Sequence, residues 1–307
     1  MINVPRAFRS LLLSFCLLAL SVPMISRAEV NPAATALAWS PDGSVLAVGG
    51  PDGVTLYTPD LAISGQLPDT RSDISALAWN NDGSQLAAGR YDGLVRVWDV
   101  TDSSITYTLH GHIGVVNAIA WGVNSRLLAT AGDDLTVRVW DGDTQIVSMS
   151  KHRDRVYALA WGDQSSRILS GGADNAVWLF LEKAWEVLPT PQYHTRAVYA
   201  VAWNADGSVY ATGGADKAIR LGKPNGSSLG GYTGHTDRII ALAWRPDGTL
   251  LSASWDHTIR QWTQGTREGK ILLDSLPDRV RVVTFNPAGT RYALISAEGT
   301  LHVQALP

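Results

Sequence analysis

Short apolar strings alternate with polar turns along most of the chain, and one string returns in phase. Each copy begins with a small or β-branched residue and ends in an aromatic residue, at steps of 40, 42, 40, 42, 41 and 41 residues. Self-similarity at a fixed period of this length predicts a repeat architecture. The seven copies are Ala36–Trp39, Ala76–Trp79, Ala118–Trp121, Ala158–Trp161, Ala200–Trp203, Ala241–Trp244 and Val282–Phe285.

Each repeat contains further strand-like segments. A turn rich in Asp-Gly or Pro-x-Gly follows the first string, then a second apolar run such as Leu127–Thr130. A Gly-rich segment with an acid leads to a third, alternating run such as Val137–Trp140, and no sustained helical period follows the N-terminal region. About four short strands in about 41 residues is typical of a propeller blade. The sequence therefore predicts an all-β fold, a seven-bladed β-propeller.

Two kinds of dipeptide link these repeats to a known family. Trp98-Asp99 and Trp140-Asp141 end two repeats, and Gly111-His112 and Gly234-His235 open two others. The chain resembles the WD-repeat β-propeller family, with seven repeats across residues 29–307. The resemblance implies the fold, and it implies partner binding as the commonest role, without naming the partner.

The resemblance also implies a hydrogen-bonded set of His, Asp, Ser or Thr, and Trp inside a blade. Such a set satisfies a buried imidazole. Because it recurs with the repeat, we interpret it as structural and not as a Ser–His–Asp triad. Two repeats contain the full set: His112, Thr130, Asp134 and Trp140, and His235, Ser252, Asp256 and Trp262. Two others contain it in part: His152, Ser170, Asp174 and Phe180, and His194, Thr212, Asp216 and Gly222.

The sequence predicts no catalytic residues, no cofactor and no metal site. It contains no nucleophile elbow, phosphate-binding Gly loop or His-Glu-x-x-His motif, and its histidines are spread roughly one per blade. The alternative is an exported propeller hydrolase or oxidoreductase with a site in the central channel. That alternative requires a non-periodic acid, base or metal cluster at the channel mouth.

Several residues depart from the repeat where the repeat does not dictate them. In the family, the turns that precede the first strand and the turns that hold the in-phase Asp share one rim, the top face. Arg, Tyr and Trp at these turns are residues enriched at binding hot spots. We predict that they bind a protein or peptide, with an acidic segment favoured; the competing interpretation pairs the arginines with nearby acids such as Asp154 and Asp237. The predicted set is Arg90, Tyr91, Arg155, Tyr157, Arg196, Tyr199, Arg238, Trp255, Arg279 and Arg281.

The N-terminus has the pattern of a secretory signal peptide. Arg6 and Arg9 precede an apolar run, Leu11–Leu20, that is shorter than the ~20 residues needed to cross a bilayer. We predict a signal peptide at residues 1–28 and an extracytoplasmic location, periplasmic or secreted. Cleavage after Ser21 is the alternative, and retention of the segment as an anchor is a further one. The single cysteine, Cys16, lies in this segment.

The cleavage site affects how the ring closes. In the family, the N-terminus usually supplies the outer strand of the last blade, and the phase of the repeat places that strand near residues 24–28. Cleavage after Ala28 removes it, whereas cleavage after Ser21 keeps it. A third alternative for function is that an open seventh blade pairs with another chain.

Charge limits the class of partner. The net charge is −3, and without the three arginines of residues 1–28 it is −6, with 22 basic against 28 acidic residues. This balance argues against a nucleic-acid platform.

Overall fold

The computed structural model describes residues 26–29, 34–68, 73–162, 166–188, 190, 194–266, 268–277 and 280–307. Only the backbone of residues 26–29 is described. Most of the predicted signal peptide and Arg279 of the predicted binding set therefore lie outside the described residues. Within the described residues no helix is long and apolar enough to cross a membrane.

The described residues form seven antiparallel sheets of four strands each, which confirms the predicted all-β seven-bladed propeller. Numbered in chain order, the strands are as follows. Blade one contains β2 Ala36–Trp39, β3 Leu46–Gly50, β4 Gly53–Tyr57 and β5 Ile63–Pro68; blade two contains β6 Ile74–Trp79, β7 Gln85–Arg90, β8 Val95–Asp99 and β9 Ser104–Leu109. Blade three contains β10 Val116–Trp121, β11 Leu127–Gly132, β12 Val137–Asp141 and β13 Thr144–Met149; blade four contains β14 Val156–Gly162, β15 Arg167–Gly172, β16 Val177–Leu181 and β17 Glu186–Leu188. Blade five contains β18 Val198–Trp203, β19 Tyr210–Gly214, β20 Ile219–Gly222 and β21 Ser228–Tyr232; blade six contains β22 Ile239–Trp244, β23 Leu250–Ser254, β24 Ile259–Trp262 and β25 Lys270–Leu273. Blade seven contains β26 Val280–Phe285, β27 Arg291–Ser296, β28 Thr300–Ala305 and the N-terminal strand β1 Ser26–Glu29.

The hydrophobic core lies between neighbouring blades. Ala36 and Leu56 of blade one pack in one cluster with Ile74, Trp79 and Trp98 of blade two, all buried. A four-stranded sheet has two apolar faces, and each blade covers one face of the next. Burial of these side chains is the main term that stabilises the ring.

The recurring aromatic residue of the first string acts as a wedge between blades. The indole N–H of Trp79 donates to the backbone oxygen of Ala38 in the preceding blade at 3.1 Å, and Trp121 donates to that of Ala78 at 3.0 Å. The period of the sequence therefore corresponds to a period of contacts between sheets.

The N-terminal strand closes the ring. β1 pairs antiparallel with β28, with Ser26 opposite Val303 and Glu29 opposite Thr300. The described part of the strand overlaps the residues 24–28 that the phase of the repeat predicts. It occupies the outermost position of blade seven, which β5, β9 and β13 occupy in the first three blades.

The strand order defines two faces. Because consecutive strands are antiparallel, the turns between first and second strands and between third and fourth strands lie at one rim. We call that rim the bottom face. The turns between second and third strands, and the connections from one blade to the next, lie at the opposite rim, the top face.

Candidate functional site

The predicted hydrogen-bonded set is formed in both blades that contain it in full. In blade three, Nδ1 of His112 lies 2.9 Å from Asp134 Oδ1 and its Nε2 lies 2.7 Å from Thr130 Oγ1, which accepts from the indole of Trp140 at 2.9 Å. In blade six the corresponding distances are 2.8 Å for His235 to Asp256, 2.6 Å to Ser252 and 2.8 Å for Trp262 to Ser252. The repeated geometry supports a structural role for the set.

Electrostatics fix the direction of these hydrogen bonds. Burial lowers the pKa of His235 below its ordinary 6.5 despite the neighbouring Asp256, so the imidazole is neutral. Burial raises the pKa of Asp256, but hydrogen bonds from Thr258, Thr236 and His235 outweigh burial and lower it to about 2. His235 therefore donates to the carboxylate through Nδ1 and accepts from the Ser252 hydroxyl through Nε2.

The same carboxylates hold the top-face loops. Asp256 accepts from the backbone N–H of Thr236 at 2.8 Å, and Asp174 accepts from that of Arg153 at 2.8 Å. In blade six the backbone N–H of Trp255 also donates to the oxygen of Arg238 at 3.0 Å. The connection that enters the blade and the turn between its second and third strands are thus tied together, so the top face is preorganised.

Blade five forms the set without its tryptophan. His194 lies 2.9 Å from Asp216 and 2.8 Å from Thr212, while Gly222 stands where blades one to four and blade six have an aromatic residue. The ring of Tyr210, buried and opposite Gly222 in the sheet, fills the space: a Cβ on Gly222 would lie 2.2 Å from its Cζ. A large residue on one strand compensates for a small one on the next.

The mouth of the central channel is formed by bulged residues. In each inner strand from β6 to β26 one extra residue interrupts the pairing, as at Ser75, Asn117, Tyr157 and Tyr199. A β-bulge re-aims its side chain and is enriched next to functional sites. The repeat thus presents one variable side chain per blade at the channel mouth.

These channel-mouth residues divide the ring into two unlike parts. In the first three blades Thr35, Ser75 and Asn117 donate to the backbone oxygen of Ile74, Val116 and Val156 of the next blade, at 2.8, 2.6 and 3.1 Å. In blades four and five, tyrosine replaces these short polar residues. At blades four and five, aromatic rings therefore occupy the positions that form hydrogen bonds between blades in the first three.

Four side chains on blades four to six form a continuous stack that we call the aromatic ladder: Tyr157, Tyr199, Arg238 and Trp255. The rings of Tyr157 and Tyr199 stack with centroids 5.3 Å apart and planes at 25°. The guanidinium carbon of Arg238 lies 5.6 Å from the centroid of Tyr199 and 4.1 Å from that of Trp255, which is 42% exposed. Stacked cation–aromatic contacts of this kind hold a side chain in place and leave its edges open.

The other predicted arginines lie in different environments. The side chain of Arg155 is 57% exposed, and its Nε lies 3.6 Å from Asp133 of blade three. Arg196 is exposed, and its side chain forms no hydrogen bond or ion pair among the described residues. Arg281 is exposed and donates to the backbone oxygen of Ala297 at 3.0 Å.

The competing interpretation named Asp154 and Asp237 as the partners of these arginines. Both carboxylates instead accept from backbone: Asp154 from the N–H of Arg155 at 2.8 Å and Asp237 from that of Arg238 at 2.6 Å. Among the described residues, neither guanidinium pairs with these two acids.

Arg90 is a correction to the predicted binding set. Its side chain is fully buried and pairs with Asp92 at 2.7 Å, so it is closed to a partner. Blade two lacks the in-phase histidine, and Arg90 bonds to the in-phase aspartate in its place. Tyr91 is 46% exposed on the top face, but blade two lies across the ring from the ladder.

Sequence reasoning missed two exposed top-face residues, Ile113 and Arg153. Ile113 is 80% exposed, and Arg153 occupies the corresponding position in the next blade. The available signal was their position directly after the in-phase histidine.

The central channel has a cavity of about 380 Å³. Its described lining is mainly Ala, Leu, Ile and Val, with Thr35, Ser75 and Asn117 near the top, and its titratable groups are Tyr157 and Tyr199. Burial, then the neighbouring Tyr199, raises the pKa of Tyr157, which keeps its hydroxyl protonated. Among the described residues no group of three His, Cys, Asp or Glu side chains is arranged to hold a metal ion.

Comparisons with known proteins agree with this architecture. The family described as "WD domain, G-beta repeat" (WD40) matches residues 29–55, 63–99, 103–141, 143–180, 185–221 and 226–263. A chain in the crystal structure of a mitotic checkpoint complex superposes with a TM-score of 0.81 and 23% identity, over 92% of this chain and 94% of that one. This last similarity shows the fold alone.

Two curated relatives match over short stretches. The rice (Oryza sativa subsp. japonica) ribosome biogenesis protein WDR12 homolog is 46% identical over 37 residues, and WD repeat-containing protein 44 of Xenopus laevis is 35% identical over 77 residues. The matches span 12% and 25% of this chain, and 8% of each relative. The family repeat, in contrast, covers more than half of the chain, and the seven blades follow the same phase. The chain belongs to the WD40 repeat family.

Proposed function

We propose that this protein is an exported, non-catalytic scaffold that binds another protein through the top face of blades four to six. The observation that carries the proposal is the aromatic ladder, which replaces the polar links between blades at this part of the ring. Repeat positions that stabilise the fold keep one pattern around the ring. A local break in that pattern, filled with Tyr, Arg and Trp, is typical of a binding site.

The rigidity of the top face supports binding to a preformed surface. The His–Asp hydrogen bonds and the Trp255–Arg238 backbone bond hold both loops of blade six. Binding to such a surface loses little conformational entropy in the scaffold. The partner accordingly meets side chains that are already in place.

Export through the N-terminal segment is part of the proposal, and cleavage after Ser21 is the site that we favour. Pairing of β1 with β28 supports this choice, because cleavage after Ala28 would remove Ser26, Arg27 and Ala28 from the strand. An outer position left empty would expose unpaired backbone groups of β28.

Affinity capture from the native envelope tests the proposal. Bait protein with Arg155→Glu and Arg238→Glu is compared with wild type, and Lys183→Glu is the control, because Lys183 is an exposed cation in a turn on the bottom face. We expect a protein partner that the wild type and the control retain and the double variant loses. Equal retention by all three baits would refute binding at blades four to six.

The mass of the recovered bait reports on processing. A mature N-terminus at Val22 supports export with retention of β1. An N-terminus at Glu29 would contradict the favoured cleavage site, and an uncleaved, cytoplasmic bait would contradict export.

A further inference from the structure

We propose that Arg238 is a carboxylate-binding anchor, and that the partner presents an extended segment rich in Asp and Glu to it. This inference rests on the proposed function and assigns the chemistry of the same top-face site.

Two aromatic rings lie against the guanidinium of Arg238. Trp255 covers one part of the group at 4.1 Å and Tyr199 approaches at 5.6 Å. Stacking uses the π faces of a guanidinium, whereas its N–H bonds point outward in its plane. A side chain fixed in this way keeps the in-plane donors for a carboxylate, which it can bind through two parallel hydrogen bonds.

Among the described residues, the donors of Arg238 have no acceptor. Its Nε is buried without a hydrogen-bond partner, and its guanidinium forms no ion pair among the described residues. Two top-face acids of blade six are already engaged, Asp237 by the backbone N–H of Arg238 and Asp256 by His235. The buried Nε is out of reach of a partner, so an incoming carboxylate would bind the terminal N–H groups of this partly exposed side chain.

Neighbouring charges favour an acidic segment over a single terminal carboxylate. Arg196 of blade five, next to blade six, and Arg153 and Arg155 of blade four, one blade further, are exposed on the same face. Arg155 makes only a long contact of 3.6 Å with Asp133 while remaining mostly exposed. Several cations on consecutive blades are complementary to several acids along an extended peptide. This local positive charge contrasts with the net negative charge of the whole protein.

Short random peptides displayed on phage provide the probe. They are panned against the exported protein, against Arg238→Gln and Arg238→Glu, and against Lys183→Glu as the control on the bottom face. We expect wild type and control to enrich peptides with Asp or Glu. The best of these peptides should bind Arg238→Gln roughly 10- to 100-fold more weakly, as expected for loss of a charged hydrogen bond.

The charge-reversed variant separates recognition from structural damage. If Arg238 binds a carboxylate, panning against Arg238→Glu should enrich peptides with Lys or Arg. A surface that is only destabilised would not select such peptides. Wild-type selection without acidic enrichment, including no enrichment over the starting library, overturns the inference. So does binding that is unchanged in Arg238→Gln.

A further variant distinguishes failure of the inference from failure of the proposed function. If partner capture needs Trp255 but not the charge of Arg238, the top-face scaffold stands and acidic recognition is wrong. If Trp255→Ala and both Arg238 variants all capture the partner normally, the proposed binding surface itself is wrong.

Discussion

Replacing Ser252 by Ala tests how the repeated hydrogen bonds stabilise a blade. Ser252 is fully buried; its hydroxyl donates to Nε2 of His235 at 2.6 Å and accepts from the indole of Trp262 at 2.8 Å. The substitution removes one oxygen and leaves two buried polar groups without a partner. At about 1–3 kcal/mol for each, the free energy of unfolding should fall by about 2–6 kcal/mol.

Blade four contains a natural control for this experiment. Ser170 is also fully buried and bonds to His152 at 2.7 Å, but Phe180 stands in place of the tryptophan. Ser170→Ala therefore leaves one polar group unsatisfied and should cost about 1–3 kcal/mol. The difference between the two variants isolates the indole N–H.

Urea unfolding followed by circular dichroism measures both losses. The two variants should shift the midpoint to lower urea with a similar slope, Ser252→Ala by more. Equal shifts would refute the claim that Trp262 depends on Ser252. Losses below about 0.5 kcal/mol in both variants would refute the structural interpretation of the whole set.

Two further predictions concern single blades. Gly222→Ala should destabilise the protein by about 1–3 kcal/mol in urea unfolding, because the new Cβ overlaps the ring of Tyr210. Adding Tyr210→Leu should restore part of this loss. If the losses of the two single variants simply add in the double variant, the overlap is wrong. The free energy of unfolding should also fall as the pH drops below 6.5, because burial lowers the pKa of His235 and the unfolded chain binds the proton first. Asp256, with a pKa of about 2 against 3.8, should add a loss in more acidic solution. In thermal melts from about pH 7 to pH 5, His235→Gln should reduce the fall in stability relative to the wild type, and an unchanged slope would contradict the assignment.

Much of the candidate site could be predicted from the sequence, because the repeat defines equivalent positions in every blade. Tyr157, Tyr199 and Trp255 stand out as breaks in a regular column, and the structure places all three in one ladder. Arg90 stands out in the same way, yet it is buried against Asp92. A break in the pattern identifies an unusual residue, but whether its side chain points to solvent or to a vacant core position depends on the space left by its neighbours.

The sequence by itself determined the architecture. A period of about 41 residues with four strands per unit dictates seven sheets, since each sheet has apolar faces that only another sheet can cover. The resemblance to the WD-repeat family implied the His–Asp sets, whose members lie within one repeat. It also implied an N-terminal strand in blade seven, and the phase of the repeat gave its place.

Only the tertiary structure decided which side chains from different blades meet. Arg238 and Tyr199 lie about one repeat apart in the chain, and Trp255 approaches Arg238 from another turn of blade six. Their stacking depends on the bulges and on the angle between adjacent sheets, which local periodicity does not encode. That geometry separates Arg238, whose donors have no acceptor among the described residues, from Arg90, whose donors bond to Asp92.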